Sequence, residues 1–227
     1  MNEKILFRGA MTALITPFDK SGKVQEEHLK KILDLQIQGG IDAVVPCGTT
    51  GEASTLEYDE HFRVCELTTQ YVNKRAKVII GGGSNNTHRA IQLTRFAKEI
   101  GADAVLSVGP YYNKPTQEGH YHHFKAIAES ANIPLIIYNI PGRTGVNIEP
   151  DTLLRLAEDL RHKGAAVFCA EPGEPAPGRL PAVAVDHPET DAVCLVQSFY
   201  AMLVRLAQRL GTDLDRPRHL EKITRTR

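Results

Sequence analysis

An α/β fold organised around a parallel sheet is what this chain predicts, on three observations. Short apolar runs recur at regular spacing, helical stripes lie between them, and Gly, Pro or capping residues mark the junctions. The runs extend from Met11 to Ile15, Ala43 to Val45, Val78 to Ile80, Ala104 to Val108 and Leu135 to Tyr138. They are continuous rather than alternating, as expected of strands covered on both faces.

After the first run, Leu29, Ile32, Leu33 and Ile37 share one helical face, and Gly39-Gly40 closes that helix. Ser54-Thr55-Leu56-Glu57 has the pattern of a capping box and opens the second helix. Ala90, Leu93, Ala97 and Ile100 form the next stripe, ended by Gly101, and Phe124, Ile127, Ala128 and Ala131 the one after. Pro150 stands near the start of the fifth helix, where its missing N–H costs little, ahead of Leu153, Leu156, Ala157 and Leu160. The unit is β-α, repeated about five times at roughly 25 to 35 residues. Rhythm alone does not separate an open sheet from a closed barrel. Ile15-Thr16-Pro17-Phe18 is no dinucleotide fingerprint. Gly81-Gly82-Gly83-Ser84-Asn85-Asn86 lacks both the Walker lysine and the Rossmann spacing, so it reads as a tight strand-to-helix turn.

Composition removes several function classes. The 227 residues carry 27 acidic and 27 basic side chains, a balance that offers nothing to nucleic acid or an anionic membrane surface. Cys47, Cys65, Cys169 and Cys194 are widely spaced with no CxxC, so neither a zinc site nor a disulfide framework is expected. No run reaches signal-peptide or membrane-span length, and a cytoplasmic location is expected. His120, His122 and His123 lack acidic or cysteine partners at ligand spacing; they read as a solvated helix start and not as a metal site.

Three polar motifs close apolar runs: Gly48-Thr49-Thr50-Gly51-Glu52, Pro110-Tyr111-Tyr112-Asn113, and Tyr138-Asn139-Ile140-Pro141-Gly142-Arg143-Thr144-Gly145. Each places hydroxyls, phenols or a guanidinium where a buried strand hands over to a loop, the edge at which parallel α/β proteins gather their chemistry. With the segment from Gly9 to Phe18, they resemble the pyruvate-dependent aldolase superfamily of dihydrodipicolinate synthase and N-acetylneuraminate lyase, over residues 5 to about 160. The resemblance implies a (β/α)8 TIM barrel, of which five to six β-α units are recognisable here. It also implies a class I aldolase-type lyase, in which a lysine amine condenses with the ketone of pyruvate and the enamine attacks an aldehyde, with no metal or cofactor.

By the same resemblance, Tyr138 is the proton shuttle. Thr49 links its phenol to Tyr112, which a neighbouring subunit of a homo-oligomer contributes. Gly48 and Thr50 belong to the loop that binds the pyruvate carboxylate. Gly142-Arg143-Thr144-Gly145 favours the synthase branch, where the arginine holds the carboxylate of aspartate semialdehyde in lysine (diaminopimelate) biosynthesis. A planar guanidinium suits that grip. Other 2-keto-acid aldol pairs are the alternative substrates. Asn85, His61 and Tyr111 match effector-site positions, but Tyr58 and Arg89 replace a histidine and a glutamate, so weak or absent lysine inhibition is expected.

Beyond Leu160 the family pattern stops. Aligning Glu171 with the family's glutamate puts Ala170 where the Schiff-base lysine belongs. Residues 161–227 hold only Lys163 and Lys222, and five prolines fall between Pro172 and Pro188. The run Ala165 to Cys169 suits a sixth strand, and Ala192 to Leu210 reads as the tail's one helix. The chain thus divides into a barrel portion, residues 1–160, and a divergent Pro-rich tail, residues 161–227. The barrel is expected not to close, which makes a homo-oligomer doubtful, and pyruvate is expected to form no imine. The rival expectation is a non-catalytic paralogue that binds pyruvate, or an intact synthase subunit through Tyr111-Tyr112.

Overall fold

A computed structural model of the chain describes residues 7, 9–165, 169–170 and 179–180. The chain separates into two compact units, Met1–Gly164 and Ala165–Arg227. The first unit alternates strand and helix: β1 (Met11–Ala13), α1 (Glu26–Gln38), β2 (Ala43–Val45), α2 (Tyr58–Val72), β3 (Lys77–Gly81), α3 (Thr87–Glu99), β4 (Ala104–Val108), α4 (Gln117–Ser130) and β5 (Leu135–Tyr138), then α5 (Pro141–Thr144) and α6 (Pro150–His162). In the second unit, β6 (Cys169–Ala170) pairs in parallel with β7 (Arg179–Leu180). Most of the run Ala165 to Cys169, expected as a sixth strand, and the expected tail helix lie outside the described residues.

The main sheet has five strands in the order β1-β2-β3-β4-β5, all parallel. Each strand lies beside its predecessor, so the order contains none of the reversal that marks a doubly wound sheet. That winding is the barrel's. Among the described residues the sheet ends at β1 and β5 without closing.

Strand periodicity sorts the core into two layers. Val44, Val78, Ile80 and Val105 face the helices and pack with Leu29, Leu33, Val64, Val72 and Ala97. Ala43, Val45, Ile79 and Ala104 face the other way, with Phe7, Leu106 and Ile136 against them. A third cluster, Tyr121, Phe124, Ile127, Ile148 and Leu156, lies under α4 and α6.

Four expectations are corrected. β1, at the end of the sheet, is covered on one side only, with Met11 and Ile15 exposed. The capping box of α2 is formed by Glu57 and Glu60, the Glu57 N–H donating to Glu60 Oε2 at 3.1 Å, not by Ser54 and Glu57. The motif after β5 coils into α5, with Pro141 in its first turn and Gly145 (φ 76°) ending it. Finally, His120 and His123 are buried. They share the inner stripe of α4 with Phe124 and Ile127, which the three-four spacing puts on one face. Only His122 points outward, to Glu118. Among the described residues no helix is long and apolar enough to cross a membrane.

Candidate active site

Because all five strands are parallel, the loops that follow them share one edge of the sheet. The loop after β2 holds Gly48, Thr49 and Thr50. It turns on the Gly51 N–H and Ala53 N–H, both donating to the Gly48 carbonyl, at 3.1 and 3.4 Å. The buried Thr16, in the loop after β1, donates its hydroxyl to the Gly51 carbonyl at 2.7 Å. On the other side, the end of β3 presses directly on this loop. A Cβ at Gly81 would stand 1.8 Å from the Cys47 carbonyl oxygen, which glycine alone avoids. The N–H groups of Gly48, Thr49 and Thr50 have no acceptor among the described residues. Successive unpaired N–H groups make an anion-binding concavity.

The loop after β4 carries Tyr111 and Tyr112. It is anchored by Asn113, whose Nδ2 donates to the Asn85 carbonyl at 3.1 Å. Tyr112 is held in the left-handed region (φ 67°) and is 89% exposed. Among the described residues, four of the six non-glycine residues with positive φ, Cys47, Glu52, Tyr112 and Lys114, stand on this edge. Strain of that kind concentrates at functional sites.

β5 pairs with β4 so that Tyr138 lies opposite Val108. Tyr138 is half-buried, and its phenol has no partner among the described residues. The neighbouring Asn139 fixes the loop: its Oδ1 accepts from the Ile148 N–H at 3.2 Å and its Nδ2 donates to Asn147 Oδ1 at 2.8 Å. Arg143 on α5 is exposed and has no ion-pair partner among the described residues.

Thr49, Thr50, Tyr112, Tyr138 and Arg143 therefore share one edge, but the structure does not join them. Thr49, Tyr112 and Tyr138 make no hydrogen bonds to one another. β2 and β5 are three strands apart, about 14 Å along the sheet at ordinary strand spacing. No lysine is buried among the described residues. Lys163 sits at the end of α6, its amine on Glu129 at 2.5 Å.

Sequence spacing concealed one cluster. Cys47, His61 and Cys65 are buried, and their ligating atoms lie within 4.8 Å of one another. Among the effector-position residues, His61 is pinned by a 2.8 Å contact between Nε2 and the Gly81 carbonyl, and the Arg89 guanidinium lies 3.8 Å over the Tyr58 ring. The letters held only part of the signal: His61 and Cys65 are one helical turn apart, but nothing in the spacing brings Cys47 to them.

Sequential parallel strands, each followed by a helix, with polar loops gathered at one edge have the winding of a (β/α)-barrel protein. Residues 6–165 match the dihydrodipicolinate synthetase family, and the chain belongs to that family. It is 58% identical over 153 residues to the 4-hydroxy-tetrahydrodipicolinate synthase of Geotalea daltonii, covering 67% of this chain and 52% of that protein. A chloride-inhibited dihydrodipicolinate synthase from Acinetobacter baumannii, solved with pyruvate, is 52% identical with TM-score 0.64, covering 66% of this chain and 52% of that one. The 4-hydroxy-tetrahydrodipicolinate synthase of Methylacidiphilum fumariolicum SolV is 32% identical with TM-score 0.69, covering 96% of this chain and 91% of that one. The chain spans about half the length of the first two. These structural relatives carry the TIM-barrel assignment.

Proposed function

We propose that this chain presents the substrate-binding rim of a dihydrodipicolinate-synthase-type lyase, a cytoplasmic enzyme of lysine biosynthesis, without the amine that would form the Schiff base. The observation that carries the reading is the set of unpaired groups on the strand-end edge. The Gly48, Thr49 and Thr50 N–H groups and the Thr50 hydroxyl suit the carboxylate of pyruvate. The Arg143 guanidinium, free on α5, suits the second carboxylate, that of aspartate semialdehyde, through two parallel hydrogen bonds. Tyr138 would move the proton and Thr49 would pass it on.

A condensing amine must be neutral to attack a ketone. Lowering a lysine pKa by about 3 units, worth roughly 4 kcal/mol, takes a desolvated pocket. Exposed lysines, and Lys163 on its carboxylate partner, are poor candidates. Borohydride trapping with pyruvate, read by peptide mass spectrometry, tests this half of the reading. No pyruvyl-lysine is expected, and an adduct on any lysine refutes it. Ligand-observed NMR with pyruvate tests the other half: binding is expected in the unaltered chain and loss in Thr50→Val, whereas no binding refutes the rim.

Tyr112 favours a second, compatible reading. A phenol 89% exposed on a constrained backbone is placed for a neighbouring subunit, either a second copy or an intact synthase. Light scattering of the chain alone and mixed with a full-length synthase tests it. Association weakened by Tyr112→Ser supports the reading; a monomer in both samples ends it.

A further inference from the structure

Two thiols and an imidazole, one from the end of β2 and two from α2, meet in the core behind the loop that carries Thr49 and Thr50. Cys47 leaves β2 with φ 52°, a left-handed conformation that a side chain adopts at a cost of about 1 kcal/mol or more. His61 and Cys65 stand one turn apart on α2 and face it. All three are buried, at 2%, 1% and 0% exposure.

One nitrogen of the imidazole is left free to act as a ligand. Its Nε2 donates to the Gly81 carbonyl at 2.8 Å, which leaves a lone pair on Nδ1, and Nδ1 is buried with no partner. A metal-binding histidine is characteristically held in this way, with its other nitrogen bonded to a backbone carbonyl or carboxylate. An uncompensated buried acceptor costs about 1 to 3 kcal/mol, so an empty Nδ1 calls for an explanation.

We propose that Cys47, His61 and Cys65 form a site for a thiophilic d10 cation, Zn2+ or Cu+, which clasps the strand end bearing Gly48-Thr49-Thr50 to α2. Two thiolates and an imidazole are a soft donor set, unsuited to Mg2+ or Ca2+. The dimensions agree. A point central to three atoms no more than 4.8 Å apart lies within about 2.8 Å of each, against bonds of about 2.3 Å to sulfur and 2.0 Å to nitrogen. A contraction of roughly half an ångström completes the bonds. Both thiols would bind as thiolates and release their protons to solvent. This inference stands apart from the lyase reading, since none of the three residues is assigned to the substrate rim.

The test uses the full 227-residue chain, reduced and stripped of metal. Zn2+ and, separately, Cu+ are titrated against a chromophoric chelator, with Co2+ as a spectroscopic reporter. Saturation at a single equivalent of either ion is expected, with a thiolate-to-cobalt charge-transfer band in the near ultraviolet. In the unaltered chain, bound metal should slow the alkylation of Cys47 and Cys65 by iodoacetamide relative to the metal-free chain. Affinity should fall by about a hundredfold or more in Cys65→Ser, and persist in the Cys169→Ser/Cys194→Ser double variant. Absence of saturable binding by both ions overturns the proposal. So does bound metal with Cys47 and Cys65 alkylated as fast as in the metal-free chain, which needs no variant to fold.

Discussion

The Thr16 hydroxyl donates to the Gly51 carbonyl oxygen at 2.7 Å, and this bond ties the loop after β1 to the loop that carries Thr49 and Thr50. Thr16 is buried, so removing its hydroxyl leaves the Gly51 carbonyl without that donor in a place water does not easily reach. Thr16→Val keeps the shape and deletes the bond. A loss of about 1 to 2 kcal/mol is expected in urea denaturation. Pyruvate affinity, followed by ligand-observed NMR, should fall as the loop loosens. Unchanged stability would show that the two loops are held by packing alone.

Gly81 is the sharpest steric test of the rim. A Cβ there would lie 1.8 Å from the Cys47 carbonyl oxygen and 2.8 Å from the Gly48 nitrogen, both backbone atoms that cannot rotate aside. Gly81→Ala should cost more than about 3 kcal/mol or leave the chain insoluble. Gly142→Ala is the matched control, since nothing lies within 4 Å of its added Cβ and its φ is not positive. It should change stability by less than about 0.5 kcal/mol. Thermal denaturation of the pair checks both. Equal midpoints would contradict the close approach of β3 to the loop.

Buried histidines set the acid limit of the fold. Burial, and then repulsion from His120, lowers His123 to about 4, and burial alone lowers His120. In the unfolded chain both take up protons near pH 6.5. Between these values the unfolded state binds more protons, so stability is full above about pH 6.5 and is lost as the pH falls toward 4. For His123 the loss is at most about 3 kcal/mol. Both His120 nitrogens lack partners, so His120→Leu should stabilise the chain, and by more at pH 5 than at pH 8. Urea midpoints across that range measure it; an equal gain at both pH values would mean that His120 does not titrate on unfolding.

What the letters disclosed, and what they did not, follows from range. The runs at 43–45 and 104–108 became strands with the same bounds, because central parallel strands are apolar on both faces and need no distant information; the run at 135–138 did so at the end of the sheet. The motifs at Gly48, Tyr111 and Tyr138 were legible because strand-end chemistry follows each strand directly in sequence. Cys47, His61 and Cys65 were not. Their meeting depends on how α2 folds back over β2, and no local pattern encodes that return. His120 and His123 failed for a related reason: a polar pair at a helix start reads as solvated until Thr87 of α3 and the Gly109 backbone are known to stand against it. Arrangement along the edge was equally hidden, since the spacing of Thr49 from Tyr138 is set by strand order.

The stacked pair Arg89 and Tyr58 bears on regulation by lysine. The Arg89 guanidinium lies 3.8 Å over the Tyr58 ring, an arrangement that cation–π attraction favours, and its charge repels an incoming ammonium group. His61, at another effector position, spends Nε2 on the Gly81 carbonyl in the core and offers nothing to a ligand at the surface. Calorimetric titration with L-lysine should therefore give no saturable heat at millimolar ligand. Arg89→Glu removes the repulsion and supplies a carboxylate where the family carries one. Lysine heat should then emerge, weakened again by salt because the new contact is partly exposed. Saturable lysine binding by the unaltered chain would show that the stacked arginine swings clear, and that the effector site survives the exchange of an acid for a base.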